Sequence, residues 1–123
     1  MTFVAAEVKG LFTSEGEPLE NCTPSDSDCF RLSIRAYVGP WGSEAAESFD
    51  FYVCTPKWLE QECEKRGFIV GRHYLITNSF DAAQIRALIT KLIQRFQRSN
   101  WPEVAQKVAR FGYWEFEDLR ESA

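Results

Sequence analysis

The chain has 123 residues, a net charge of −4 and an aromatic content of 15%, so it is long and apolar enough to bury one hydrophobic core. No apolar run approaches the roughly 20 residues that span a bilayer, which excludes a helical membrane protein. The first ten residues lack the basic segment of a secretory signal. The sequence therefore predicts a single cytoplasmic domain over residues 1–123.

The four cysteines indicate neither a disulfide framework nor a metal site. Cys22 and Cys29 lie in a polar loop, and no two cysteines form a C-x-x-C pair. Cys54 ends a predicted strand and Cys63 lies on a predicted helix, while the one histidine, His73, is remote in sequence. We therefore expect reduced thiols, no metal and no cofactor.

The first half of the chain predicts three strands, at residues 3–12, 30–39 and 47–54. Apolar and polar residues alternate in each, imperfectly in the first and cleanly in the second. The inward face of the third strand is predicted to consist of Phe49, Phe51 and Val53. We expect an antiparallel meander with one face packed and one face wet. Trp58, on the next helix, is expected to join the same core.

The second half predicts three helices and a fourth strand. Thr55 is a good N-cap for the first helix, which should end at Gly67, and the fourth strand covers residues 72–77. Asp81 and Asn100 are the expected N-caps of the two C-terminal helices. The second helix has an apolar stripe made of Ile85, Leu88, Ile89, Leu92, Ile93 and Phe96. The predicted fold is α+β: an antiparallel meander of three N-terminal strands, a fourth strand after a helix, and the two C-terminal helices on one face.

A long acidic loop at residues 13–28 is the main candidate for a binding site. Loops of this length in small domains are usually functional or mobile. Its carboxylates could dock a basic protein, with Tyr37, Trp41 and Tyr52 as aromatic anchors; a surface that only aids solubility is the alternative. The predicted contacts are Glu15, Glu17, Glu20, Asp26 and Asp28, with Trp41 and Glu44 as weaker candidates nearby.

No enzyme motif stands out in the sequence. It has no Gly-rich phosphate loop, no G-x-S-x-G and no H-E-x-x-H. Glu115 and Glu117 share one predicted strand face, where a solvated surface is a better interpretation than a glycosidase pair. The basic stripe of the second helix is interpreted as its solvated back rather than a nucleic-acid surface. Two alternatives stay open: a regulatory or adaptor module, and a small hydrolase that uses surface carboxylates.

Three segments carry a distinctive combination of residues. They are GSEAAESFDFYVCTPKWL, GRHYLI and WPEVAQKVARFGYWEFED, and Asp28 to Phe30 reads DCF before them. Together, in this order, they resemble the eighth numbered family of bacterial immunity proteins. The resemblance implies a non-catalytic protein that binds the C-terminal domain of a cognate toxin, from a polymorphic or contact-dependent system, in the cytoplasm. It implies no direct contact with nucleic acid or membrane. The shared segments look like determinants of the fold, so toxin specificity is expected in the acidic loop.

Overall fold

A computed structural model describes residues 2–117, which form six strands, three α-helices and one short 3-10 helix. The strands are β1 (Val4–Thr13), β2 (Arg31–Pro40), β3 (Glu47–Cys54), β4 (Tyr74–Ile76), β5 (Gln97–Arg98) and β6 (Tyr113–Trp114). The helices are α1 (Pro56–Arg66), α2 (Ala82–Gln94) and α3 (Trp101–Val108), with the 3-10 helix at Leu19–Asn21.

The N-terminal half forms the predicted antiparallel meander. β2 lies in the middle and pairs with β1 on one edge and β3 on the other. Ile34 lies opposite Phe51 and Ala36 opposite Phe49, and all four side chains are fully buried. Tyr37 lies on the other face of β2, which we call the open face, and is exposed. The period-two pattern therefore identified the inward faces of β2 and β3 correctly.

The prediction of a purely antiparallel sheet was wrong, because the curled sheet is mixed. The strand order is β4-β3-β2-β1-β5, and β4 runs parallel to β3 with Tyr52 opposite Tyr74. A parallel neighbour requires a crossover connection, and α1 supplies it between β3 and β4. β6 pairs antiparallel with the first half of β3, with Phe49 opposite Trp114. β5, which pairs with the start of β1, was not predicted.

Each α-helix begins directly after its predicted N-cap residue. The side chains of Thr55, Asp81 and Asn100 each accept a backbone N–H from the first helical turn. The Thr55 hydroxyl also accepts the N–H of Phe30 at 3.2 Å and is fully buried, so it joins the start of α1 to the start of β2. Gly67 ends α1 with a φ of 87°, a conformation that favours glycine.

The core lies between the sheet and the two C-terminal helices. Both α2 and α3 contact β1, and Ile85, Ile89 and Ile93 of α2 are buried in the same cluster as the inward residues of the meander. The stripe of α2 is narrower than predicted, since Leu88 is 52% exposed and Leu92 is only half-buried.

The first helix does not contribute to this core. α1 contains no buried residue, and the expectation that Trp58 joins Phe49 and Phe51 is wrong. Its indole instead stacks on Tyr74 with ring centroids 6.3 Å apart, on the opposite face of the sheet. The reason is the geometry of the crossover: α1 leads into β4, whose Tyr74 is paired with Tyr52 of the open face.

Candidate protein-binding surface

The acidic loop connects β1 to β2 at one end of the sheet and has a defined backbone. Thr13 N–H donates to the Glu17 carbonyl at 2.8 Å and Gly16 N–H to the Thr13 carbonyl at 2.9 Å, which closes a tight turn. In the 3-10 helix, the Leu19 side chain is fully buried in the core. One buried side chain and a closed turn therefore hold the loop, so its carboxylates project from a fixed frame.

Glu15 and Glu17 lie together on the tip of this loop. Both side chains are exposed, and they line a cleft of about 310 Å³ with Asn21 and Thr23. The Asn21 side-chain amide donates to Glu17 at 3.4 Å, which leaves most of the acceptor capacity of both carboxylates facing solvent.

Glu20 points to the helix side of the sheet and is already paired. Arg86 of α2 donates to it through two nitrogens, with Nη2 3.0 Å from Oε2 and Nε on Oε1. This hydrogen-bonded pair lowers the pKa of the Glu20 carboxyl. The pair fastens the 3-10 helix to α2, so Glu20 has a structural partner within the protein.

Asp26 and Asp28 lie in a separate turn that precedes β2. Asp26 Oδ1 accepts the N–H of Asp28 at 2.9 Å, and the neighbouring Ser27 carbonyl accepts the N–H of Phe80 at 2.7 Å. Both carboxylates are exposed. The five predicted loop acids thus form three groups around the end of the sheet and do not form one patch.

Trp41 and Glu44 lie at the other end of the sheet, so the expectation that they sit near the acidic loop is wrong. They belong to the turn between β2 and β3, and the ten residues of β2 place about 30 Å between the two ends. Lys9 fixes this turn by donating to the carbonyls of Pro40 at 3.1 Å and Ser43 at 2.6 Å. Trp41 is 56% exposed there.

A cleft of about 410 Å³ lies on the open face beside the loop tip. Its walls include the loop residues Ser14 and Gly16 and the side chains of Phe12, Ser33, Arg35, Tyr37 and Asp50. The rings of Phe12 and Tyr37 meet edge to face at 5.8 Å, and Arg35 forms a two-point ion pair with Asp50 at 2.8 and 3.0 Å. Tyr37 was predicted as an anchor; Phe12 was missed, because a bulge between Val8 and Gly10 shifts the alternation of β1.

The residues weighed for catalysis have structural partners. Glu115 accepts the N–H of Ser48 at 2.8 Å, and Glu117 accepts from Arg72 at 2.7 Å, so the two carboxylates are held in separate contacts. Over residues 2–117, no group of three His, Cys, Asp or Glu side chains is placed to hold a metal ion. In the same part of the chain, no helix has the length and apolar character needed to cross a bilayer.

Comparison with known proteins identifies the family. The model of the family described as Immunity protein 8 matches residues 6–119, nearly the whole chain. No curated protein and no solved structure matches this chain. The matched range includes nearly all of the meander, all three helices and the acidic loop, which agrees with the resemblance seen in the sequence. The chain belongs to the Immunity protein 8 family.

Proposed function

We propose that this protein binds a cognate toxin domain and neutralises it through a non-catalytic contact. The observation that carries the proposal is membership of an immunity-protein family, which implies neutralisation of a toxin by binding. The partner is the C-terminal domain of a toxin from a polymorphic or contact-dependent system. The protein acts in the cytoplasm, where it covers or distorts the active site of that domain.

The loop end of the sheet is the contact surface in this proposal. Two exposed carboxylates, Glu15 and Glu17, project from a turn that backbone hydrogen bonds close. Asp26 and Asp28 are exposed at the same end, and the cleft beside the tip offers the ring of Tyr37. Acidic groups around an aromatic anchor suit a basic partner, because rim charges speed association and buried rings slow dissociation.

A basic partner is expected because many toxins act on nucleic acid and need positive charge to hold phosphates. The acidic loop can occupy such a surface. Glu20 supports the loop through its pair with Arg86 and is a weaker contact than Glu15 or Glu17. Trp41 and Glu44, at the far end of β2, remain weaker candidates that belong to a separate surface.

The test is co-expression with the toxin domain encoded by the neighbouring gene, followed by pull-down and growth rescue. We expect the double variant Glu15→Lys/Glu17→Lys to associate roughly tenfold more slowly at low salt, because it loses electrostatic steering. Its melting temperature should match that of the wild type, since both side chains are exposed. Glu44→Lys, with one charge reversal rather than two, is the comparison variant at the other end of the sheet.

Two outcomes would contradict parts of this proposal. If the wild-type protein neither binds the toxin domain nor rescues growth, the immunity function itself is rejected. Full rescue by Glu15→Lys/Glu17→Lys, with unchanged association at low salt, keeps immunity and removes the loop tip as its site. A slower association of Glu44→Lys alone would move the site to the turn between β2 and β3.

A further inference from the structure

Arg31, the first residue of β2, lies among three aromatic rings on the open face. Its guanidinium carbon is 4.0 Å from the ring centroid of Tyr52 and 5.9 Å from that of Trp58. Tyr74 completes the group, with its centroid 5.1 Å from Tyr52 and 6.3 Å from Trp58. We call these four residues the arginine–aromatic cluster. Each member contacts two others, so the guanidinium is held in place before any ligand arrives.

Four elements build this cluster, and each is fixed by other contacts. Tyr52 and Tyr74 are partners in the parallel pairing of β3 with β4. Trp58 lies in the first turn of α1, and its backbone N–H donates to the hydroxyl of the buried cap residue Thr55 at 3.3 Å. Side chains on paired strands and a capped helix lose little further freedom on binding, which favours affinity.

The guanidinium of Arg31 keeps its hydrogen-bonding edges for a partner. A guanidinium at stacking distance from a ring, as Arg31 is from Tyr52, can keep its N–H donors free at the rim of the planar group. Within residues 2–117, no carboxylate forms an ion pair with Arg31. Arg35, on the same face of the same strand, differs in this respect: Asp50 occupies its edge at 2.8 and 3.0 Å.

A pocket of about 350 Å³ opens beside Arg31, and its charges fit one negative group. The lining residues are Arg31, Trp58, Glu62, Arg66, Ile69 and Tyr74. Two guanidinium groups and one carboxylate leave a single excess positive charge, and Arg66 lies 3.8 Å from Glu62. A single carboxylate satisfies this balance. A polyphosphate would not, because its several negative charges exceed the one excess positive charge of this lining.

We propose that the arginine–aromatic cluster is an anchor site that receives an Asp or Glu side chain of the toxin domain. This inference rests on the proposed function and adds a second point of contact to it. The carboxylate would accept two parallel hydrogen bonds from Arg31, an arrangement that supplies both strength and orientation. Arg, Tyr and Trp are also the residue types that most often dominate the energy of protein interfaces.

The anchor and the acidic loop lie at the same end of the sheet. Ser33, which lines the cleft beside the loop tip, is two residues from Arg31 along β2, a distance of roughly 7 Å. One partner of ordinary size can cover both places. The toxin surface that fits has basic residues facing the loop and one acidic residue beside them, a pattern that fixes orientation and excludes toxins without the acid.

Two substitutions at Arg31 test the anchor against the toxin domain of the neighbouring gene. Arg31→Met removes the charge and keeps an unbranched apolar stem, and we expect the complex to dissociate roughly 10- to 100-fold faster. Arg31→Lys keeps the charge but loses the two-point geometry, and should also dissociate faster, by a smaller factor. The matched control is Arg110→Met, at an exposed arginine after α3.

The measurements are dissociation rates by surface plasmon resonance and melting temperatures of the free proteins. The anchor is supported if both Arg31 variants melt like the wild type and dissociate faster while Arg110→Met does not. It is overturned if Arg31→Met and Arg31→Lys dissociate like the wild type. Wild-type protein that fails to bind rejects the proposed function, and the anchor with it. Loss of binding in Arg110→Met as well would mean that net charge alone controls the complex, which also overturns the anchor.

Discussion

At the residue scale, the surroundings of His73 change how readily its side chain binds a proton. Among the non-glycine residues of the described part of the chain, His73 alone has a positive φ, of 65°. The residue is only 8% exposed. The ring of Tyr113 meets its ring at right angles, with centroids 5.9 Å apart. Burial, and then the nearby charge of Arg72, lower the pKa of His73 below its ordinary value of 6.5, while Glu117 acts in the opposite direction.

We expect stability to fall as the pH drops below about 6.5, because the unfolded chain binds a proton on His73 more readily than the folded protein does. The stability that comes from keeping His73 neutral is fully present above the pKa of His73 in the unfolded chain. It is lost as the pH falls towards the lower pKa of His73 in the folded protein. His73→Asn tolerates the positive φ and does not titrate. Urea unfolding between pH 8 and pH 5 should therefore show a shallower pH dependence for the variant. Equal slopes for both proteins would contradict this account.

At the element scale, α2 shows how a short neighbouring strand limits burial. Ile85, Ile89 and Ile93 are each 2% exposed or less, but Leu88 and Leu92 border an apolar groove of about 220 Å³. The groove lies between α2 and β4, the three-residue strand at the edge of the sheet. The helix therefore has one buried row and a second row at the edge of the core.

Two truncations on α2 distinguish these rows. Ile89→Ala should cost about 2–5 kcal/mol of unfolding free energy, because it leaves a cavity in the core. Leu88→Ala should change that free energy by roughly 0.5 kcal/mol or less, since the side chain is 52% exposed. Equilibrium urea unfolding of both variants checks the difference. Equal losses would mean that the groove closes over Leu88 in solution.

At the scale of the whole molecule, one carboxylate joins elements that are distant in sequence. Glu47 Oε1, at the start of β3, accepts the indole N–H of Trp101 at 2.9 Å and that of Trp114 at 3.0 Å. Trp114 in turn stacks on Phe49 with an interplanar angle of 7°. A single acceptor therefore connects α3 and β6 to the central sheet.

Replacement of Glu47 should loosen both connections at once. Glu47→Leu removes the acceptor from two largely buried indoles, and we expect a loss of about 2–3 kcal/mol of unfolding free energy. Glu47→Gln keeps a neutral oxygen acceptor and should lose less. Tryptophan fluorescence during urea unfolding measures both variants. If Glu47→Gln is as unstable as Glu47→Leu, the negative charge rather than the hydrogen bonds stabilises this junction.

Much of the fold was predictable because its signals are local. The alternation of β2 and β3 and the cap residues Thr55, Asp81 and Asn100 act within a few residues, so the sequence identified them. The parallel direction of β4 was not predictable, since a three-residue strand carries too little pattern to indicate a partner. β5 and β6 have two residues each and exist only through pairing with β1 and β3.

The surface was less predictable than the fold. The exposure of Glu15 and Glu17 follows from their loop composition, but the partner of Glu20 is 66 residues away on α2. The arginine–aromatic cluster could not be predicted either, because it requires the crossover that brings Trp58 to the open face. The alternation of apolar and polar residues predicts that Arg31 and Tyr52 both lie on the open face of the sheet. It does not indicate that the guanidinium of Arg31 contacts the ring of Tyr52.

The junction at Glu47 also governs when a newly made chain can finish folding. β3 leaves the ribosome some sixty residues before Trp114, so during that interval the first half of this strand lacks its β6 partner and the ring of Phe49 lacks the indole that stacks on it. A nascent polypeptide interrupted before residue 114 thus has an incomplete core and remains open to proteolysis. Under the proposed function, a cell gains protection only from chains translated past this point, and a premature stop codon in α3 leaves it as sensitive as a cell without the gene.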